Sequence, residues 1–128
     1  MADVEAVTLE HSAPVLVVDS VADSVAYYRD VLSFDVAFVY GQPAFYAGVC
    51  RGHVTIHLQA AAETKRQPGH GAINIFVNDV DRLHDEFKAR GARIVKPPAD
   101  YSYGMRDFDL LDPDGNQLCF GMESRPKA

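Results

Sequence analysis

Two stretches of the chain, VLVVDSVADSVAYYRDVLSFDVAF (residues 15–38) and NIFVNDVDRLHDEFKARGARIVK (residues 74–96), follow one plan. Each runs from a β-branched strand through a short polar turn into an amphipathic helix and then a second strand. The turns match in spacing, Val18-Asp19-Ser20-Val21 against Val77-Asn78-Asp79-Val80. A unit of about 55 residues with a one-faced sheet has too little apolar cover of its own, and pairing two such units supplies it. The chain is therefore expected to be an internal duplication.

The remaining elements follow from periodicity. Pro14–Val18 reads as a strand, and Asp23 or Ser20 as the N-cap of a helix over Ser24–Leu32 with Val25, Tyr28 and Leu32 inward. Strands are expected at Phe34–Tyr40, Phe45–Cys50 and His53–Gln59, broken by turns at Gly41-Gln42-Pro43 and Arg51-Gly52. After a polar linker at 61–71, the second unit brings a strand at Ala72–Val77 and a helix at Asp79–Arg90 closed by Gly91. A strand at Ala92–Lys96 and a loop at Pro97–Tyr103 follow. A hairpin around Asp112-Pro113-Asp114-Gly115 then completes the unit. The expected domain is single: β-α-β-β-β over 12–60, the same over 72–121, and a frayed tail at 122–128. The class is α+β.

Charge and cysteine usage narrow the function. The net charge is −6 with 12 Lys+Arg, and Lys65-Arg66 is too short for a nucleic-acid footprint. No apolar run reaches the roughly 20 residues of a membrane helix. The start, MADVEAVTLEHSAP, has acids where a signal peptide would be basic. Two cysteines, Cys50 and Cys119, make no disulfide framework, so a cytoplasmic protein is expected. Nucleic acid and membrane are poor partners for such a chain; a small molecule is a better one.

Strand alternation sorts the side chains. If Leu16, Val18, Ile56, Leu58, Ile73, Ile75, Phe108, Leu110, Leu118 and Phe120 pack on the helices, the opposite registers line a cup. Those registers carry Val15, Val17, Thr55, His57, Gln59, Ala72, Asn74, Phe76, Asp107, Asp109, Gln117 and Cys119. Apolar walls with dispersed donors and acceptors suit a polar organic molecule. Phe38, Tyr40, Phe45 and Tyr46, around the Gly41 turn, and Tyr101 and Tyr103, near Met105, offer flat rings for planar or cationic groups. Asp107 and Asp109, side by side, favour a cationic ligand or face solvent, or pair with Arg106 or Arg51. His57 with Asp109 makes an acid-base dyad only if the fold sets them about 3 Å apart.

PVLVVDSVADSVAYYRDVLSFDV, GHGAINIFVNDVD and RDFDLLDPDGNQLCFG, in that order, resemble the opening, the midpoint and the ending of the vicinal oxygen chelate superfamily. The resemblance covers nearly all of residues 12–121. It implies paired βαβββ modules, each forming half of a cupped sheet, and a homodimer. It also implies two occupations: glyoxalases, extradiol dioxygenases and fosfomycin-type transferases hold a divalent metal in the cup, whereas bleomycin-resistance proteins sequester a drug there without one. The metal positions that the resemblance implies fall on Ala13, His57, Ala72 and Cys119, and two alanines ligate nothing. A two-residue shift brings in His11 and His70, a His/His/His/Cys set foreign to the carboxylate-containing sets of the family. The resemblance thus implies a metal-free, cofactor-free binding protein for an aromatic or cationic compound such as an antibiotic. Its expected lining is Phe38, Phe45, Thr55, His57, Gln59, Asn74, Phe76, Tyr101, Tyr103, Arg106, Asp107, Asp109 and Cys119. A metal-dependent lyase, isomerase or dioxygenase is the alternative.

Overall fold

The run Val15–Val18 forms β1, with Leu16, Val17 and Val18 buried, in a computed structural model that describes residues 6–124. Helix α1 spans Val21–Asp30, three residues earlier than the spacing of Val25 and Tyr28 alone predicts. The reason is the cap: Ser20 has extended backbone and its Oγ accepts from the Asp23 amide at 3.2 Å. β2 (Asp35–Tyr40), β3 (Tyr46–Arg51) and β4 (Val54–Ala60) complete the first sheet in the order β1-β4-β3-β2. Only β1 and β4 are parallel in it.

The second unit repeats the first. β5 (Ala72–Phe76) leads to α2 (Val80–Ala89), whose N-cap Asp79 accepts from the Arg82 amide at 3.1 Å. Gly91, at φ 86°, takes the left-handed backbone that ends this helix. β6 (Arg93–Asp100), β7 (Met105–Leu111) and β8 (Gln117–Glu123) give the order β5-β8-β7-β6. The expected α+β fold of two βαβββ sheets stands.

Boundaries in the second unit differ from the sequence expectation as well. β6 continues through Pro97 and Pro98 as far as Asp100, where a loop is expected. It is an edge strand with register shifts on both sides of Lys96, and an edge with bulges tolerates prolines that donate nothing to a ladder. At the other end, β8 includes Met122 and Glu123, because Glu123 pairs with Met105, so the tail begins later than residue 122. Residues 125–128 lie outside the described residues.

One core serves both units. Tyr28 of α1 with Leu32, Ile56 and Leu58, and Phe87 of α2 with Phe108, Leu110 and Leu118, belong to a single buried cluster. Each such side chain contributes roughly 1.5–3 kcal/mol on burial. The units are also hooked together by polar groups. Asn116 Nδ2 donates to the Val17 carbonyl at 3.1 Å, and its Oδ1 accepts from the Gly71 amide at 2.9 Å. On the other side, Arg51 in the first unit donates to Glu86 on α2 at 2.8 Å and to the Leu32 carbonyl at 2.9 Å. The linker turns back on β1, where the Gly69 amide donates to the Val17 carbonyl at 3.4 Å.

Candidate functional site

Register fixes what shares the face away from the helices. In the first sheet, Phe38, Gly48, His57 and Val15 stand in one row across β2, β3, β4 and β1. The corresponding row of the second sheet is Lys96, Asp109, Cys119 and Asn74, across β6, β7, β8 and β5. One row carries aromatic rings, the other charged and polar groups. Thr55 from the first sheet lies in the same cleft as Asn74 and Phe76 from the second, so the two faces adjoin.

The first half is an aromatic cluster. The Phe38 ring stacks on Tyr46 with centroids 6.2 Å apart and meets His57 edge-on at 5.3 Å. Tyr46 Oη and His57 Nδ1 are hydrogen-bonded at 2.9 Å. Gly48 makes room for this, since a Cβ there would run into the Phe38 ring. Phe45 is not part of the cluster; its ring packs on Gly41 of its own turn, and Tyr46, one residue on, has the inward register. Gln59 accepts from Arg66 Nη2 at 2.6 Å, and Lys65, Arg66 and His70 of the linker rim the face of β1 at Val15 and Val17.

The second half opens as a cavity of about 510 Å³ that Asn74, Phe76, Tyr103, Asp107, Asp109 and Cys119 help to line. Asp107 and Asp109 are 5% and 7% exposed, so neither faces solvent. Their counter-charge is Lys96, not the Arg106 or Arg51 that the sequence suggests. Lys96 Nζ stands 2.6 Å from Asp107 Oδ1 and 3.9 Å from Asp109 Oδ2. Tyr103 donates its hydroxyl to Asp107 Oδ2 at 2.6 Å, and Gln117 Nε2 donates to Asp109 Oδ2 at 2.8 Å. Tyr101 and Tyr103 are stacked 5.6 Å apart, with Lys96 Nζ 4.0 Å from the Tyr101 ring centre. Asp109 Oδ1 is buried without a hydrogen-bond partner.

Arg106 lies outside this group. Strand alternation turns it to the other face, where it donates to Asp81 at 2.7 Å and 3.1 Å and to Asp100 at 3.4 Å. The Asp107 bond to Lys96, followed by the Tyr103 hydroxyl and the nearby carboxylates, holds the ammonium pKa well above the usual lysine value. Burial first, then hydrogen bonding to Asp109, pushes the Cys119 thiol up to about 12.

The donor chemistry tests the metal alternative. His57 and Cys119 belong to different sheets, and Ala13 and Ala72 offer no ligand atom. Among the described residues, His11, His57, His70 and Cys119 form no donor group; Asp107, Asp109 and Cys119 do, with ligand atoms within 4.8 Å of one another. That trio does not fit a resident divalent ion. The chain's own ammonium stands against its carboxylates, 2.6 Å from Asp107 Oδ1, where a divalent ion would have to sit. His57 makes its bond to Tyr46, so the His57–Asp109 dyad is not formed.

Lys96 and Arg66 are the site residues that sequence reading leaves out, and Tyr46 enters it only among the aromatics around the Gly41 turn. Lys96 closes the expected strand, and only the pairing Lys96↔Asp109 places it against the acids. The family model described as "Glyoxalase/Bleomycin resistance protein/Dioxygenase superfamily" matches residues 8–120. A bleomycin-binding protein from bleomycin-producing Streptomyces verticillus, solved with copper(II)-bleomycin, is 27% identical; the match covers 94% of this chain and 100% of that one, with TM-score 0.75. An antibiotic binding protein from Streptomyces sp. CB03234 superposes with TM-score 0.78 at 18% identity, over 93% and 100% of the two chains. A lactoylglutathione lyase from Agrobacterium tumefaciens does so with TM-score 0.71 at 19% identity, over 88% and 93%. No curated protein matches the chain.

Proposed function

Because the chain belongs to the glyoxalase/bleomycin resistance protein/dioxygenase superfamily, we propose that it is one of the members that bind a small molecule without a metal, and that its ligand is an aromatic or cationic compound such as an antibiotic. The observation that carries this reading is the buried Asp107–Asp109 pair facing a cavity of about 510 Å³ with one lysine as counter-charge. Two buried carboxylates against one ammonium leave the pocket net negative, and uncompensated buried charge favours cations. The Phe38–Tyr46–His57 cluster adds a flat surface for an aromatic portion. The bleomycin-binding and antibiotic-binding relatives supply the same precedent.

The protein is proposed to work as a homodimer. Support comes from the edge strand β2 and its turn, where Val36, Val39, Tyr40 and Phe45 are exposed. The binding experiment is calorimetric titration with metal-free bleomycin in EDTA. Saturable binding indifferent to EDTA is expected. Stoichiometric divalent ion that stays with the drug-free protein through gel filtration, found by elemental analysis, would overturn the reading in favour of a metal-dependent lyase, isomerase or dioxygenase.

A further inference from the structure

We infer that the Lys96 side chain is a built-in occupant of a subsite for a primary ammonium group, and that an amine ligand enters by replacing it between Asp107, Asp109 and the Tyr101–Tyr103 pair. The inference rests on the binding-protein reading and narrows its ligand class to amines.

The surroundings of Lys96 Nζ are those of a bound cation. It has a carboxylate oxygen of Asp107 at 2.6 Å, the Tyr103 hydroxyl oxygen at 3.2 Å and the Tyr101 ring centre at 4.0 Å. Tyr103 gives its proton to Asp107, which leaves an oxygen lone pair directed at the ammonium. The Asp107 and Asp109 side chains are 7% and 11% exposed, whereas that of Lys96 is 32% exposed. The acids therefore belong to the floor, and the cation reaches them from the mouth. Two buried oxygens of the cluster accept no hydrogen bond: Asp107 Oδ1, which meets the lysine as an ion pair only, and Asp109 Oδ1, which lies beyond it.

The lysine also sits where the backbone gives it room to leave. Its strand is an edge, the register shifts on both sides of it, and Pro97 and Pro98 follow. The first sheet has the same bulge before the matching residue, Phe38, which is neutral. A ligand ammonium that takes the place of Nζ keeps the one counter-charge of the two carboxylates while Lys96 goes to water. The exchange therefore avoids the large cost of an unpaired buried charge. The apolar remainder of the ligand then has Phe76 and Met105 in the adjoining cavity to pack on.

Lys96→Ala should empty the subsite and let simple amines fill it. With n-butylammonium chloride at about ten times its Kd, the melting temperature of Lys96→Ala should rise by about 5 °C more than with equimolar sodium chloride or n-butanol. The wild-type protein should gain much less. Equal shifts in Lys96→Ala from the three additives would overturn the inference. Wild-type protein provides the second measurement, in which benzylamine is titrated while the Lys96 ε-methylene resonance is followed by NMR. The resonance should move to the position of a hydrated lysine; benzylamine that binds without moving it, or benzyl alcohol that binds equally well, would overturn the inference. The two readings separate cleanly. Amine rescue of Lys96→Ala with no bleomycin binding upholds the subsite and removes the drug-binding reading, and bleomycin binding without rescue does the reverse.

Discussion

Tyr28 Oη donates to Asp112 Oδ2 at 2.9 Å across 84 residues of sequence, joining α1 of the first unit to the terminal hairpin turn of the second. Asp112 accepts three further bonds from inside its own turn: the Asp114 and Asn116 amides on Oδ1, and Asn116 Nδ2 on Oδ2. The segment Asp112-Pro113-Asp114-Gly115-Asn116 thus stitches the two units together. Tyr28→Phe leaves a buried carboxylate one donor short and should cost about 1–3 kcal/mol. Urea unfolding with an unchanged slope is the measurement, and a loss below about 0.5 kcal/mol would show that the hook is not structural. Burial, with Asp112 next, raises the Tyr28 pKa well above its usual value and that of Tyr27 to about 12. Alkaline titration at 295 nm should therefore show Tyr27 and Tyr28 still protonated at pH 11.

The two inter-unit contacts should respond to pH with opposite signs. Arg51 bonds hold the Glu86 carboxyl below its usual pKa, so its stabilisation is present at neutral pH and is lost as pH falls through the lowered folded value. Burial, followed by the charges of Asp112 and Asp19, raises Asp114, so its ionised form subtracts stability at neutral pH and that penalty fades as pH falls. At pH 7, Glu86→Gln should lower the melting temperature, by no more than about 1 kcal/mol of stability for a half-exposed pair. Asp114→Asn should raise it, because an asparagine oxygen still accepts from the Asp19 amide. As pH falls, the Asp114 difference should fade first, through its raised pKa, and the Glu86 difference only at lower pH, through its lowered one.

The duplication was legible because helix caps, turn glycines and two-residue alternation are local signals. Ser20, Asp79 and Gly91 sit where cap chemistry puts them, and Leu16, Ile56, Phe108 and Leu118 are buried as their register requires. The cup was half legible. Alternation places Asp107, Asp109, His57 and Cys119 on the inner faces, but which cation meets the acids depends on the pairing of β6 with β7. That pairing passes through bulges, and a bulge breaks the parity from which inward and outward positions are read. The same limit left Phe45 and Tyr46 side by side as candidates, because the choice between these neighbours turns on where β3 begins.

Cys119 should be nearly inert. With a thiol pKa of about 12, only ~1 in 10⁴ molecules carries the thiolate at pH 8, so iodoacetamide should label it about a thousandfold more slowly than a peptide thiol. A Cys50→Ser background isolates the measurement. Asp109→Asn removes the second cause of the shift and leaves burial, so labelling should quicken yet stay well below the peptide rate. Labelling of the parent at the peptide rate would mean the thiol is neither buried nor bonded to Asp109.

Gly48 and Phe38 should be energetically coupled. An alanine Cβ at position 48 occupies the space of the Phe38 ring, which must swing off Tyr46 and His57. Gly48→Ala should cost about 1–3 kcal/mol by overpacking. With the ring already removed in Phe38→Ala, the same change should cost little, so the double-mutant cycle should return a coupling of about 1–2 kcal/mol. If Gly48→Ala costs the same in both backgrounds, the glycine is required by its backbone and not by the ring. Because the displaced ring projects into the aromatic half of the cup, Gly48→Ala should also weaken binding of aromatic compounds there. It should leave n-butylammonium rescue of Lys96→Ala unchanged, since that subsite belongs to the other sheet.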